Sequence, residues 1–350
     1  VPYLRNVEIP EGHADWYGPA EPSDVTESLH RHNLRAIESV RLGGHGLPLM
    51  GGGDWNDGMN GIGAGGKGES VWLAFFLCVI LKEYAVYCAP DTASRLLLQR
   101  EALMNSIEEH AWDGEWYLRA WYDDGMPLGG KACEECRIDL LAQAWAVLAG
   151  AKRGQQAFEA ALDQLLDEEA GIVKLLAPPF DGGRDAGYIR AYPKGVRENG
   201  GQYTHATIWF IMAAAKLGRF DLAWKLFLMI LPISHSLDEP SARRYKVEPY
   251  VVAADVAAGE HPGRGGWTWY TGSASLFWSL GMEILLGFEK CGNRVRLRPT
   301  APKGWNGYTI EYRYGNTAYI LRASAGERDD GWIELEDDGG THEVVFALKS

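Results

Sequence analysis

Apolar residues recur at helical spacing up to about residue 288, and from Cys291 onward they alternate with period two. Nothing else in the chain restricts its fold as strongly. A long helical part over 1–288 must be followed by a small antiparallel β part over 289–350. Ser23 is the expected N-cap of a first helix carrying Leu29, Leu34, Ile37 and Val40. Glu69 to about Cys88 is apolar nearly all round, which predicts a buried helix. Pro90 ends it, and further helices are expected near 92–112, 138–150, 154–168, 202–217, 220–231 and 270–287. DGEWYLRAWYDDG, from Asp113 to Gly125, alternates like a short hairpin between helices. NRVRLRP, GYTIEYRY, NTAYILRAS, GWIELE and HEVVFAL read as strands, with a tight turn at Tyr314–Thr317. About eight helices in antiparallel hairpins suggest an α/α toroid, which in full needs about four more.

Composition narrows the partners. A net charge of -13 opposes binding to nucleic acid or an anionic membrane face. Fourteen tryptophans and sixteen tyrosines supply the flat rings on which sugars stack. Five cysteines, an odd number, suit a reducing compartment, and Cys133-Glu-Glu-Cys136 lacks the second pair a zinc site needs. No metal or cofactor is expected. The run Val71–Leu81 is too short to span a bilayer.

Three loops rich in glycine and aromatic residues each precede a helix. GGGDWNDGMNGIGAGGKGES, residues 51–70, contains a GxGxxG at Gly61, Gly63 and Gly66. It lacks both a preceding strand and the Ser or Thr of a phosphate loop after Lys67. That leaves Asp54-Trp55-Asn56-Asp57 as a displayed carboxylate. Turn residues with a tryptophan plugging the core explain the same tetrapeptide equally well. The second loop carries Glu198 and, at a helix start, His205. The third carries Trp267 and Trp269, with Thr271 and Gly272 at the N-terminus of the last long helix, where free N–H groups favour an anion. Singly, His205 reads as a core histidine and Thr271 as an N-cap. Together the loops can gather at one rim. Inverting cleavage of a glycosidic bond needs one acid for the leaving oxygen and a nucleophile on the opposite face. A hydrolase activates water with a second carboxylate, whereas a phosphorylase needs only an anion site.

At these residues the chain resembles glycoside hydrolase family 94, the inverting β-glycoside phosphorylases. The likeness runs through GLPLMGGGDWNDGMN, GKGESVWLAFFL, EECRIDLLAQAWAVL, GYIRAYPKGVRENGGQYTHATIW, YKVEPYVVAADV and GRGGWTWYTGSA. It is strongest toward the C-terminal phosphorylase-like domain of cyclic β-1,2-glucan synthases. The resemblance implies an (α/α)6 toroid with a β cap. It implies Asp57 as general acid, Trp55 and Glu198 as sugar-binding residues, and His205, Thr271 and Gly272 as the phosphate site. Inorganic phosphate and a β-glucan oligosaccharide, most closely a β-1,2-glucan, would be the substrates. It further implies a homodimer and a cytoplasmic location, with a membrane-attached parent. The family carries an N-terminal β-sandwich, first barrel helices and an Arg–Asp sugar motif that nothing here matches. The chain is therefore expected to be part of a larger enzyme, weakly active or inactive alone. A hydrolase with Glu198 as base and a silent carbohydrate-binding fragment are the competing readings.

Overall fold

The computed structural model describes residues 1–12, 18–269, 271–325 and 331–348, with the side chain of Thr271 outside the description. The chain divides into two compact units, Val1–Leu42 and Gly43–Ser350. In the first, Pro2–Leu4 pairs antiparallel with Pro22–Thr26, and helix α1 spans Leu29–Glu38. Its N-cap is Ser28, whose hydroxyl accepts the Arg31 N–H, and not the expected Ser23. Ser23 lies in the strand, where Val25 and Thr26 favour extended backbone.

The second unit is built from helix hairpins. Helices α2 (Val71–Ala85), α4 (Leu140–Ala149) and α6 (Thr204–Lys216) are apolar on most faces and pack side by side. Each is paired with the next helix in the chain, α3 (Pro90–His110), α5 (Gly154–Leu165) or α7 (Phe220–Ile230). The partners bury fewer residues and so form the outer row. A short helix α8 (Glu239–Tyr245) follows, capped by Asp238, and then α9 (Thr271–Ser279), which packs on α6. The last helix widens into π-helical turns over Leu280–Leu285. Nine α-helices therefore lie among the described residues.

Each inner helix is preceded by a long loop, and neighbouring loops are stitched by two-residue strands. Glu69–Ser70 pairs with Ala120–Trp121, Ile138–Asp139 with Leu176–Ala177, and Gln202–Tyr203 with Asp255–Val256. Short ladders satisfy backbone groups that the loops would otherwise bury unpaired. All the long loops thus collect at the N-terminal ends of the inner helices. The expected hairpin is present with its turn at Tyr122–Met126, so Asp123 and Asp124 form the turn rather than close the segment.

The C-terminal part holds two three-stranded sheets. Phe288–Cys291, Arg294–Leu297 and Ile333–Glu334 pair antiparallel. Gly307–Tyr314 pairs antiparallel with Thr317–Ser324 through the expected turn. The expectation of a purely antiparallel β part needs correction, because Thr341–Ala347 runs parallel to Thr317–Ser324. Ile333–Glu334 leaves for the other sheet, so the chain returns from the same end as before, which a parallel pair requires. The Trp224 indole donates to Thr300 Oγ at 3.2 Å, and that hydroxyl donates to Leu285 O at 2.5 Å, joining the sheets to the helices.

Candidate active site

The DWND segment is held by its first aspartate. Asp54 faces Arg119 with Nη1 at 2.6 Å from Oδ2 and Nη2 at 2.7 Å from Oδ1, and both side chains are fully buried. The Ser70 hydroxyl donates to Asp54 Oδ2 at 2.6 Å while accepting the Leu73 N–H as the cap of α2. Arg119 Nε lies 3.4 Å from Asp139, the buried cap of α4. Burial and the two carboxylates act against each other on Arg119, and the carboxylates prevail, keeping it charged. Two carboxylates share one cation, and burial pushes Asp139 up to about 6 despite Arg119. Glu69 similarly takes the N–H groups of His45 and Leu47 and lies 2.5 Å from the His45 ring.

The glycine-rich part of the loop does make an anion nest, and the protein fills it itself. The N–H groups of Gly65, Lys67 and Gly68 donate to the Asp123 carboxylate at 2.6, 2.7 and 2.8 Å. Burial works against ionisation of Asp123, and these bonds override it and lower its pKa. No nucleotide is needed to explain the glycines. Gly61 is required by close approach, since a Cβ there would meet Gly187 N at 2.8 Å. Gly61 N–H donates to Ala186 O, and Asn60 Oδ1 accepts the Tyr188 N–H. This backbone contact sets the short turn Asp57–Met59 against Tyr188–Ala191.

Asp57 thereby lies beside Tyr188; burial first, and then the neighbouring Asp57 carboxylate, raise the Tyr188 pKa. Asp57 also raises the pKa of Glu198, though burial of Glu198 is the larger cause. Glu198 lies 3.3 Å from Arg197 Nε. The Arg197 guanidinium in turn sits over Tyr192 and over Trp267, at 5.1 and 4.5 Å from the ring centroids. Arg197 adopts φ 51°, a left-handed conformation that this sandwich holds in place. Behind Trp267, buried Asp255 accepts its N–H at 3.1 Å, and burial raises the Asp255 pKa.

Trp55 points the other way, into α6. Its ring meets Tyr203, His205 and Trp209 edge-on, with centroids 5.2, 5.6 and 5.5 Å away. His205 packs on Trp209 at 4.4 Å, and burial lowers its pKa, so the neutral ring is favoured. Of the expected site residues, the structure brings Trp55 to His205, and the turn that begins at Asp57 packs on Tyr188–Ala191 rather than on a second expected residue. Thr271 and Gly272 open α9 on the element beside α6, with free space where a Gly272 Cβ would stand.

Alongside lies a cleft of about 1460 Å3, lined among others by Tyr188, Arg190, Tyr192, Lys194, Asp255 and Arg264. Asp57, Trp55, Glu198 and His205 are not part of its lining, and Tyr188 and Tyr192 form the shared wall. Sequence reasoning missed Tyr188, Tyr192, Arg197, Asp255 and Arg119. Two tyrosines four apart in a Gly- and Pro-flanked segment, and a lone acid in the apolar run VVAADVAA, were usable signals. Arg119 offered none, since arginine in an alternating hairpin reads as solvent-facing. Among the described residues no cluster of His, Cys, Asp and Glu could hold a metal ion, and no helix is long and apolar enough to cross a membrane.

A family model, "Glycosyl hydrolase 94 superfamily, catalytic domain", matches residues 3–287. The chain is 43% identical over 335 residues to the cyclic beta-(1,2)-glucan synthase NdvB of Rhizobium meliloti (strain 1021), covering 93% of this chain and 12% of that protein. It is 33% identical to the solabiose phosphorylase of Paenibacillus borealis, covering 89% of this chain and 42% of that one. The chain thus spans less than half the length of either relative. A solved structure described as a sialidase matches with a TM-score of 0.54 at 13% identity, covering 81% of this chain and 26% of that chain, a likeness of fold.

Proposed function

The chain belongs to the glycosyl hydrolase 94 superfamily, and from that premise we propose that it is a glycoside phosphorylase domain acting on a β-glucan. The glycosidic oxygen would take a proton from Asp57 while phosphate attacks the anomeric carbon from the opposite face, releasing α-glucose 1-phosphate by inversion. Trp55 and Glu198 hold the sugar. His205, Thr271 and Gly272 hold phosphate, with the N-terminus of α9 supplying N–H groups and a favourable dipole. The 43% identity to a cyclic beta-(1,2)-glucan synthase favours the β-1,2 linkage. The helix hairpins up to residue 288 are part of an (α/α)6 toroid, and 289–350 its β cap. No cofactor beyond phosphate is required, and the working form is a homodimer.

The observation that carries this reading is the double contact of one loop. DWND touches His205 through Trp55, and the short turn that begins at Asp57 packs on Tyr188–Ala191. On this reading acid, sugar wall and phosphate residue share a rim. Glu198 is buried and held by Arg197, which suits binding a sugar hydroxyl better than activating water. Incubation of β-1,2-linked glucose disaccharides and oligosaccharides with and without phosphate tests the proposal. Glucose 1-phosphate formed only with phosphate supports it, and glucose at equal rates in both tubes refutes it. His205→Ala should chiefly raise the phosphate concentration needed for half-maximal rate.

A further inference from the structure

We propose that Arg119 is the positioning residue for Asp57, acting through Asp54; the proposal rests on Asp57 being the acid of the reading above. Arg119 touches no part of the cleft and is completely buried. Its two-pronged grip on Asp54 fixes the carboxylate in plane and direction. Asp54 Oδ1 also accepts the Asn56 N–H at 3.0 Å, so the grip extends to the residue before Asp57. The same Asp54 takes the hydroxyl of Ser70, the cap of α2, and the same Arg119 faces Asp139, the cap of α4. The acid loop is thus registered against two inner helices at once. Lysine could supply the charge at this place but not the planar fork.

A buried ion pair of this kind is weak evidence for stability as such, because desolvation offsets much of the attraction. Its geometry is the more useful property. Two parallel contacts suppress rotation of Asp54, and the short path Asp54–Asn56–Asp57 passes that restraint to the proton donor. A displacement of about 1 Å at a reacting group can cost about a hundredfold in rate.

The test uses the whole 350-residue chain with Arg119→Lys, and with Asp54→Asn as a second variant that keeps the shape of the carboxylate. The Asp57 carboxyl is followed by its carbon-13 NMR line at one fixed pH, its signal identified by its loss in Asp57→Asn. Both variants should stay helical by circular dichroism and move the Asp57 carboxyl line away from its position in the unmodified chain. On a β-linked disaccharide, kcat should fall about 10- to 100-fold with KM for the sugar within about twofold. On dinitrophenyl β-glucoside, whose leaving group departs without a proton, the deficit should shrink to about threefold or less. A purely structural Arg119 would leave the Asp57 carboxyl line in place and depress both substrates equally, and either result overturns the proposal. If the unmodified chain frees glucose equally with and without phosphate, the functional reading fails, while the Asp57 carboxyl line still decides what Arg119 does; if the chain is inactive alone, that line decides it by itself. Should Arg119→Lys not fold, Asp54→Asn decides it in the same way.

Discussion

The rings of Trp55 and His205 meet edge to face with centroids 5.6 Å apart, although 150 residues of chain separate them. Burial holds His205 below the ordinary histidine range. As pH falls below about 6.5, the unfolded imidazole takes up its proton before the folded one. The unfolded state then binds more protons, so this residue makes stability fall as pH drops through that window. A bound phosphate reverses the preference by favouring the charged ring. The His205 ring signals in NMR should therefore titrate below 6.5 in phosphate-free buffer and move upward when phosphate is added. A midpoint insensitive to phosphate would remove His205 from the anion site.

Asp57→Asn keeps the size of the side chain but cannot donate the proton. Phosphorolysis of a glycoside with a sugar leaving group should fall by about 10²- to 10⁴-fold, with sugar binding by calorimetry little changed. Retention of the unmodified rate would place the acid elsewhere.

Asp54→Ala leaves a fully buried guanidinium with only Asp139 at 3.4 Å. Breaking a buried pair on one side costs about 3–5 kcal/mol. Urea unfolding should show a lower midpoint, and a loss below about 1 kcal/mol would mean that solvent or Asp139 compensates.

Gly68 and Gly52 separate two uses of glycine in one loop. A Cβ at Gly68 would lie 2.5 Å from Ile62 O, whereas Gly52 has open space around it. Gly68→Ala should destabilise by about 1–3 kcal/mol, and Gly52→Ala should stay within about 0.5 kcal/mol. Thermal melts of the two variants compare them directly. Equal effects would contradict the close packing of the loop on itself.

Much of the helical architecture was legible because it rests on local pattern. The apolar runs at 71–85, 140–149, 204–216 and 220–230 lie within a few residues of their expected bounds. Helix α8 was not expected: Asp238-Glu239-Pro240 is a start signal, but seven residues give too little periodicity to weigh. Ser23 failed as a cap because Ser28 stands nearer the periodic residues, and chemistry alone ranks the two serines equally.

At the site, the sequence by itself determined which residue types were available: an acid at Asp57, flat rings at Trp55, and an imidazole at His205 opening an apolar helix. Only the tertiary structure decided that Asp54 and Asp57, three residues apart, have opposite environments. One is buried against Arg119, and the other is turned toward Tyr188 and Glu198. It also decided that the glycine nest holds Asp123 rather than a bound anion. The reason is physical: composition and spacing set the burial and periodicity of an element. The electrostatic role of a carboxylate depends on which distant cation or N–H group the fold brings within about 3 Å, and no local pattern encodes that partner.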